Sequence, residues 1–219
     1  FALDGVPTCE IDLNDLSAED VTRCAEAELG GRLSADLEAL FLEKTRGNPF
    51  FVQQLTRYFV ENAAIIRHAD GQWRLVAAPQ TLPDTINAVL MARIDRLAEQ
   101  VKEMVKVAAV IGREFDVSLL SAVLHRDVSA QIKIVEEAQI WEPLQELRYM
   151  FKHALLRDTA YAMQLRARLR ELHRLTAEAI ETLYAAHPAE KYAELAFHYE
   201  KAAVSAKARE YLAKAGDEA

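Results

Sequence analysis

Residues 140–151 have the sequence IWEPLQELRYMF, in which two β-prone runs, 140–143 and 147–151, are separated by three residues. The pattern predicts the two strands of a β-hairpin. Three short helices are predicted directly before it, over about 101–111, 117–125 and 128–138, with breaks at Gly112 and at Arg126-Asp127. Three helices and a hairpin make a winged helix, and we therefore predict a winged helix in this part of the chain.

The region before this domain is predicted to contain three helices. Ser17 is placed at the N-cap of the first helix, with Asp20 at the capping-box position. Ser34 is expected to cap a second helix that runs to about residue 45. A third helix is expected to start at Pro49, because proline suits the first turn of a helix.

Residues 64–77 and the segment after them show two further patterns. Two β-prone runs surround an Asp70-Gly71 turn, which predicts a hairpin. After a linker over 78–82, a long helix is predicted to begin at Pro83. Its apolar residues recur at the spacing of one helical stripe, namely at Ile86, Val89, Leu90, Ile94, Leu97 and Val101.

The part of the chain after residue 153 is helical in pattern and rich in alanine. Closely packed helical hairpins need small residues, and helical-repeat proteins use them in this way. The small residues in question are Ala193, Ala196, Ala202, Ala203, Ala206, Ala208, Ala213 and Ala215. The predicted fold class is therefore mainly α, with small β-hairpins and with helical hairpins after residue 153.

The charge of the chain is acidic overall but uneven. The net charge of −8 argues against general nucleic-acid binding. Residues 148–174 nevertheless hold seven basic and two acidic residues. Three interpretations of this basic stretch stay open: a solvated helical face, a docking surface for another domain, and a contact with nucleic acid. The predicted recognition helix, 128–139, offers only Lys133 against Glu136 and Glu137, which makes DNA an unlikely partner.

Cysteines, histidines and apolar runs narrow the function classes further. Cys9 and Cys24 form no CxxC motif and are expected to be free thiols in a cytoplasmic protein. No HExxH motif or paired-ligand spacing occurs, so no metal site is predicted. No apolar run reaches the roughly 18 residues of a membrane span, and no leader pattern opens the chain. Because the chain starts at Phe1 and ends in a helical pattern at Ala219, we expect it to be a piece of a larger protein.

Three short motifs occur in a fixed order along the chain. They are TRGNPFF at 45–51, LPDT at 82–85 leading into ARIDRL at 92–97, and FKHALLRDTAY at 151–161. In this order and at this spacing they resemble the region that follows the ATPase core in STAND-class ATPases, which are signal-transduction relatives of the AAA+ enzymes. The closest likeness is to the bacterial branch that is often joined to adenylate or guanylate cyclase domains or to transcription-regulator domains. The resemblance covers about residues 9–219.

The resemblance implies a domain order and a missing partner. It implies a helical lid over 9–80, the winged helix over 82–152, and the start of TPR-like repeats over 153–219. No GxxxxGK[ST] motif occurs, so this chain has no P-loop and is not expected to be an enzyme by itself. The parent protein would resemble an ATPase that binds ADP or ATP with Mg²⁺ through an upstream core. Its partners in cis would be that core and an output domain such as a cyclase, and the helical repeats would bind a protein partner.

The resemblance also implies roles for individual residues. The proline after a lid glycine packs against adenine in the family, and Gly47 and Pro49 match this pattern. A winged-helix histidine in a Met-His-Asp motif touches the ADP β-phosphate, and His153 matches it, although Ala154 replaces the aspartate. A histidine at a helix start lies beside free N–H groups. Beside a diphosphate its pKa is expected to rise, since an opposite charge favours the imidazolium.

Other interpretations of these residues stay open. Gly47-Asn48-Pro49 also fits a simple helix stop and restart, and His153 also fits a core or capping histidine. In ARIDRL, we expect Ile94 and Leu97 to be buried and the charged residues to be solvated. For the whole chain, the alternatives to a nucleotide-dependent switch are a DNA-binding winged-helix regulator and a helical-repeat scaffold that binds a protein without a nucleotide role.

Overall fold

The computed structural model describes residues 14–76 and 82–217. The chain divides into two units, one ending at Val89 and the other beginning at Leu90. The elements of the first unit are α1 (Ala18–Leu29), α2 (Ala35–Thr45), α3 (Pro49–Glu61), β1 (Ile65–Arg67) and β2 (Trp73–Leu75), and α4 (Ile86–Asp95) crosses the boundary.

The helix starts of the first unit lie where the sequence predicts them. Ser17 is the N-cap of α1, and its Oγ accepts a hydrogen bond from the backbone N–H of Asp20 at 3.2 Å. Asn48 caps α3 through Oδ1, which accepts from the N–H of Phe51 at 2.9 Å. Ser34 occupies the N-cap of α2, but its side chain makes no capping hydrogen bond. The start of α2 was therefore predicted correctly, whereas the side-chain cap was not.

The core of the first unit joins its three helices to the hairpin. Phe41 of α2 and Phe59 of α3 are fully buried and meet edge to face, with ring centroids 5.5 Å apart. Such aromatic pairs favour this geometry because the ring edge is positive and the face negative. The other fully buried members of this cluster are Val21, Ala25, Leu37, Val52 and Leu55.

The hairpin predicted over 64–77 is confirmed for the residues that the structure describes. Strands β1 and β2 pair antiparallel, with Ile65 opposite Leu75 and Arg67 opposite Trp73. Gly71 has a φ of +82° at the turn, a conformation that glycine adopts without steric cost. The carboxylate of Asp70 accepts the N–H of Gln72 at 3.0 Å, which stabilises the same turn.

The long helix predicted from Pro83 through Val101 is wrong in its length. Helix α4 starts at Ile86 and ends at Asp95, and α5 (Glu99–Ile111) follows after a break. Ala98 has an extended backbone, with φ −54° and ψ 144°, and becomes the N-cap of α5. Ile94 and Val101 are both buried, as their spacing predicts. Apolar spacing indicates which residues face a core, but it does not show whether they share one helix axis.

The winged-helix elements in the second unit match the predicted ones and add a strand. After α5 come β3 (Glu114–Asp116), α6 (Val117–Leu124), α7 (Ser129–Glu137), β4 (Trp141–Gln145) and β5 (Arg148–Phe151). Strands β4 and β5 form the predicted hairpin, and β3 pairs antiparallel with β5 to give the order β3-β5-β4. The sequence analysis did not predict β3, because three residues are too few to show an alternating pattern.

Aromatic residues close the core of this sheet. Phe115 of β3 packs edge to face on Trp141 of β4, with ring centroids 4.7 Å apart. Phe151 of β5 contacts both rings, with centroids 6.1 Å from Phe115 and 5.9 Å from Trp141. One aromatic side chain from each strand therefore anchors the sheet, and this pairing places residues 152 and 153 directly after a buried strand end.

The chain after residue 153 is helical, as predicted. It forms α8 (Ala154–Ala162), α9 (Arg166–Leu183), a short 3-10 helix (Ala189–Lys191), α10 (Tyr192–Lys201) and α11 (Ser205–Asp217). Ala196 and Ala208 are buried where α10 and α11 pack, while Ala193 and Ala206 are exposed. Within residues 14–76 and 82–217, none of the helices has the length and apolar character needed to cross a bilayer.

Candidate functional site

Gly47 is held in place by a close backbone contact. It is buried and has a φ of +81°, and its carbonyl accepts the N–H of Leu16 at 2.8 Å. A Cβ at this position would lie 2.7 Å from the carbonyl oxygen of Leu16 and 2.8 Å from Cβ of Asp15. The need for glycine here is explained by the fold, which supports the simpler interpretation of Gly47 as a helix stop.

Pro49 lies at the exposed start of α3. It is the first residue of the helix, directly after the Asn48 cap, and its ring is exposed while Phe51 and Val52 behind it are buried. A proline ring has no N–H group that would lose its water on contact with a flat base. Pro49 is therefore accessible for such a contact, and it also has the ordinary structural role of proline in a first helical turn.

His153 is the N-cap residue of α8. Its backbone is extended, with φ −136° and ψ 140°, its side chain is exposed, and that side chain makes no capping hydrogen bond. His153 is therefore outside the core, and it occupies the cap position of α8 without a side-chain hydrogen bond to the first turn. The imidazole lies at the end of a helix where backbone N–H groups point outward and the helix dipole is positive.

The electrostatic surroundings of His153 are positive. Partial burial lowers its pKa, Lys152 and Arg113 lower it further, and Glu142 opposes them. The pKa of His153 is expected to rise only beside a diphosphate, whereas the lowered pKa describes this chain by itself. A bound anion would act in the opposite direction to the two cations.

The three residues predicted to bind nucleotide lie in different units. Gly47 and Pro49 share one turn of the first unit, and His153 belongs to the second unit. The structure brings the first two together, and it places Lys152 and Arg113 near His153. Gly47 supplies a conformation, whereas Pro49 and His153 present exposed side chains.

The rest of the FKHALLRDTAY motif attaches α8 to the winged helix. The Nε of Arg157 donates to the carbonyl of Ala109 at 2.9 Å, near the C-terminal end of α5. Arg157 also lies over the ring of Tyr161, with its Cζ 5.1 Å from the ring centroid. A cation at a helix C-terminus is favourable because the last carbonyls carry partial negative charge. This role of Arg157 was not predicted from the sequence.

The ARIDRL motif is structural, with one correction. Ile94 is buried, and Asp95 and Arg96 are exposed, as predicted. Arg93 is half-buried instead of solvated, and its guanidinium donates to the backbone carbonyl of Ala138. Leu97 is only half-buried because it lies in the break between α4 and α5.

Two buried histidines form a cluster that the sequence analysis missed. His173 of α9 and His198 of α10 are each 1% exposed, and their Nδ1 atoms lie 2.9 Å apart. The Nε2 of His173 lies 3.0 Å from the hydroxyl of Tyr161 on α8. The two histidines are 25 residues apart, so no short motif links them. The sequence signal was limited to a polar residue on the apolar face of each helix.

Burial keeps this histidine pair neutral. Loss of hydration lowers the pKa of His173 to about 4, and Lys201 and Arg157 add to the effect. Burial likewise lowers the pKa of His198 to about 3, with a further contribution from His173 itself. Within the described residues, no group of three or more His, Cys, Asp or Glu side chains is placed to hold a metal ion.

The basic stretch 148–174 is largely paired within its own unit. Arg148 pairs with Glu114 at 3.0 Å, Arg168 with Glu171 at 2.9 Å, and Arg174 with Glu178 at 2.7 Å. These partners lie on the winged helix or on α9. The pairs favour the interpretation as a solvated helical face, because a nucleic-acid surface keeps its cations available for phosphate.

The exposed surface of α7 has no character of a DNA reader. Lys133, Ile134 and Glu137 are exposed on it, and Ile134 has 48% of its surface accessible. Base recognition needs hydrogen-bonding side chains supported by phosphate contacts.

The cysteines contribute no site to the described structure. Cys24 of α1 is a half-buried free thiol, and burial followed by the charge of Glu28 raises its pKa. A raised pKa makes the reactive thiolate scarcer. Cys9 lies outside the described residues.

Neither a family model nor a curated protein matches this chain.

Proposed function

We propose that this chain is the regulatory part of a cytoplasmic ADP/ATP-dependent switch of the STAND class. In the proposal, a P-loop core upstream binds the nucleotide with Mg²⁺. The first unit acts as a lid whose Pro49 packs against adenine, and His153 contacts the β-phosphate of ADP. The switch then passes its state to an output domain such as a nucleotide cyclase or a transcription regulator. The three sequence motifs, in their order, are the basis of the proposal.

The observation that carries this proposal is the setting of His153. Its side chain is exposed at the N-terminus of α8, makes no capping hydrogen bond, and lies in the field of Lys152 and Arg113, which Glu142 opposes. A helix N-terminus flanked by cations is favourable for a phosphate group. Such a contact would exist only while nucleotide is bound and the lid is closed. It would therefore bias a two-state equilibrium by its own free energy.

The test is calorimetric titration of ADP and ATP into this chain and into a longer protein that includes the upstream core. We expect only the longer protein to bind. Pro49→Ala and His153→Ala should each weaken the affinity of the longer protein for ADP by about tenfold, which corresponds to the loss of one good polar or packing contact. Pro188→Ala and His187→Ala are matched controls, since both residues are exposed and lie away from the motifs.

Two outcomes would count against the proposal. If the longer protein binds ADP equally tightly with Pro49 and His153 both changed, these residues have structural roles only. If His153→Leu in the longer protein leaves both bound ADP and basal output at wild-type levels, His153 does not hold the ADP state.

A helical scaffold is the second candidate function. Phe197 of α10 is 43% exposed and Leu212 of α11 is 56% exposed, so that both helices present an apolar side chain to a partner. Exposed apolar residues on helical hairpins suit a protein partner. If neither nucleotide binds to the longer protein, this function becomes the preferred one.

A further inference from the structure

The C-terminal end of α5 is held by side chains from the helices after the winged helix. Arg157 of α8 donates to the carbonyl of Ala109, and Nε2 of Gln164 donates to the carbonyl of Lys106 at 3.0 Å. The two donors, one on α8 and one directly after it, fasten this segment to α5.

The short distance between the two imidazoles requires a shared proton. Two neutral rings that both presented lone pairs across 2.9 Å would repel each other, and two N–H groups would collide. One Nδ1 must therefore carry the proton and the other must accept it. If Nδ1 of His173 carries the proton, Nε2 of the same ring accepts the hydroxyl proton of Tyr161. If Nδ1 of His198 carries it, Nε2–H of His173 donates to the Tyr161 oxygen.

We propose that Tyr161, His173 and His198 form a latch that holds α8, α9 and α10 together and that stays closed while the buried imidazoles are neutral. A proton added to either ring would place a charge among buried side chains, where no water compensates it. With both rings protonated, two N–H groups would face each other between the Nδ1 atoms, and the chain of hydrogen bonds would break. The latch is independent of the proposed nucleotide role and stands if that proposal fails.

The charged groups that act on the latch oppose protonation from two sides. Arg157 of α8 acts on both rings, and Lys201 of α10 acts on His173. The ring of Phe197 on α10 packs edge to face against His173, with centroids 5.7 Å apart. From α5 the contribution is the Ile111 backbone, and from α8 it also includes the Tyr161 hydroxyl. No carboxylate is among the groups that shift either histidine within the described residues.

The proposal is tested on the full 219-residue chain by long-range proton–nitrogen NMR. At pH 7 we expect one of the two rings as the Nδ1–H tautomer and the other as the Nε2–H tautomer, with a through-hydrogen-bond coupling between their Nδ1 atoms. Both rings should stay neutral when the pH is lowered to 5. The latch is overturned if either ring titrates near the ordinary histidine pKa of about 6.5, or if both rings carry the same tautomer.

A smaller substitution tests the latch without changing either histidine, in case histidine variants do not fold. Tyr161→Phe removes one hydroxyl and should release the tautomer of His173, which we expect as a shift of its Nδ1 and Nε2 signals and faster amide exchange in α9 and α10. Tyr149→Phe is the matched control, because it removes the same hydroxyl group from a half-buried tyrosine on β5, outside the latch. Unchanged His173 signals in Tyr161→Phe would show that the cluster is ordinary core packing, which would overturn the latch.

Discussion

Gly47 and Gly71 have nearly the same backbone conformation but different surroundings. Their φ angles are +81° and +82°, and a Cβ would clash with the Leu16 backbone at Gly47 while meeting nothing within 4 Å at Gly71. Gly71→Ala should therefore lower the free energy of unfolding by about 1 kcal/mol, the cost of a left-handed non-glycine residue. Gly47→Ala should cost clearly more, because residues 15 and 16 must also move.

Urea denaturation of both alanine variants measures this difference. If the two variants lose the same stability, the close contact between Gly47 and Leu16 does not exist in solution. In that case the glycine would need another explanation, and its role beside a nucleotide would gain support.

Ala98 shows how an element start can be improved. It is the exposed N-cap of α5 and provides no side-chain hydrogen bond to the first turn. Ala98→Ser should raise the free energy of unfolding by about 1 kcal/mol, because a serine Oγ can accept one of the free N–H groups. Ala98→Val is the control and should give no gain. Thermal unfolding that shows equal midpoints for wild type and Ala98→Ser would contradict the break between α4 and α5.

Helix α11 is joined to α9 by one buried-edge carboxylate. Glu181 of α9 accepts from Nζ of Lys207 at 2.8 Å and from the hydroxyl of Tyr211 at 2.7 Å. Lys207 also donates to the hydroxyl of Tyr199 on α10, at 2.9 Å. The hydrogen bond that Lys207 donates to Glu181 raises the pKa of the lysine. Glu181 therefore joins α9 to α11, and Lys207 extends the connection to α10.

Glu181→Gln should weaken this junction by about 1 kcal/mol, since hydrogen bonds to a charged group are stronger than neutral ones but these are partly exposed. We expect faster amide exchange in α11, while α5 stays protected. Glu210→Gln is the matched control, because Glu210 pairs with Lys214 on the surface of α11 and such pairs contribute little. Equal exchange rates for the two variants would show that Glu181 does not hold α11.

At the scale of the whole molecule, the two buried histidines set the acid limit of stability. Their folded-state pKa values, about 4 and about 3, lie below the ordinary value of 6.5. The unfolded chain therefore binds more protons than the folded protein between these values. Stability is fully present above pH 6.5 and is lost as the pH falls towards 4.

The size of this effect follows from proton counting. The two histidines together give an uptake of up to about two protons on unfolding near pH 5, and each contributes about 1.4 kcal/mol per pH unit. Urea denaturation at several pH values measures the slope. His198→Gln should reduce the uptake by about one proton, because this variant removes one of the two buried imidazoles. A wild-type slope near zero between pH 6 and pH 5 would contradict the buried neutral pair.

Much of the architecture was predictable from local sequence alone. The caps at Ser17 and Asn48, the Asp70-Gly71 turn and the wing hairpin at 140–151 all depend on neighbouring residues, so their signals lie within a few positions of each other. The mainly helical class follows from the same local patterns. Pro49 and His153 were selected by a resemblance, and the structure adds that both are exposed at helix starts.

Other features were decided by tertiary contacts. Strand β3 exists because β5 offers it a partner, and no glycine or proline marks the break before Ala98. Arg93 and Arg157 find backbone carbonyls 45 and 48 residues away. His173 and His198 meet only when α9 and α10 pack, because nothing in either local sequence indicates which buried polar group the other helix will supply. These side chains find their hydrogen-bond partners far away in the sequence, and a local sequence pattern does not show which distant residue the partner will be.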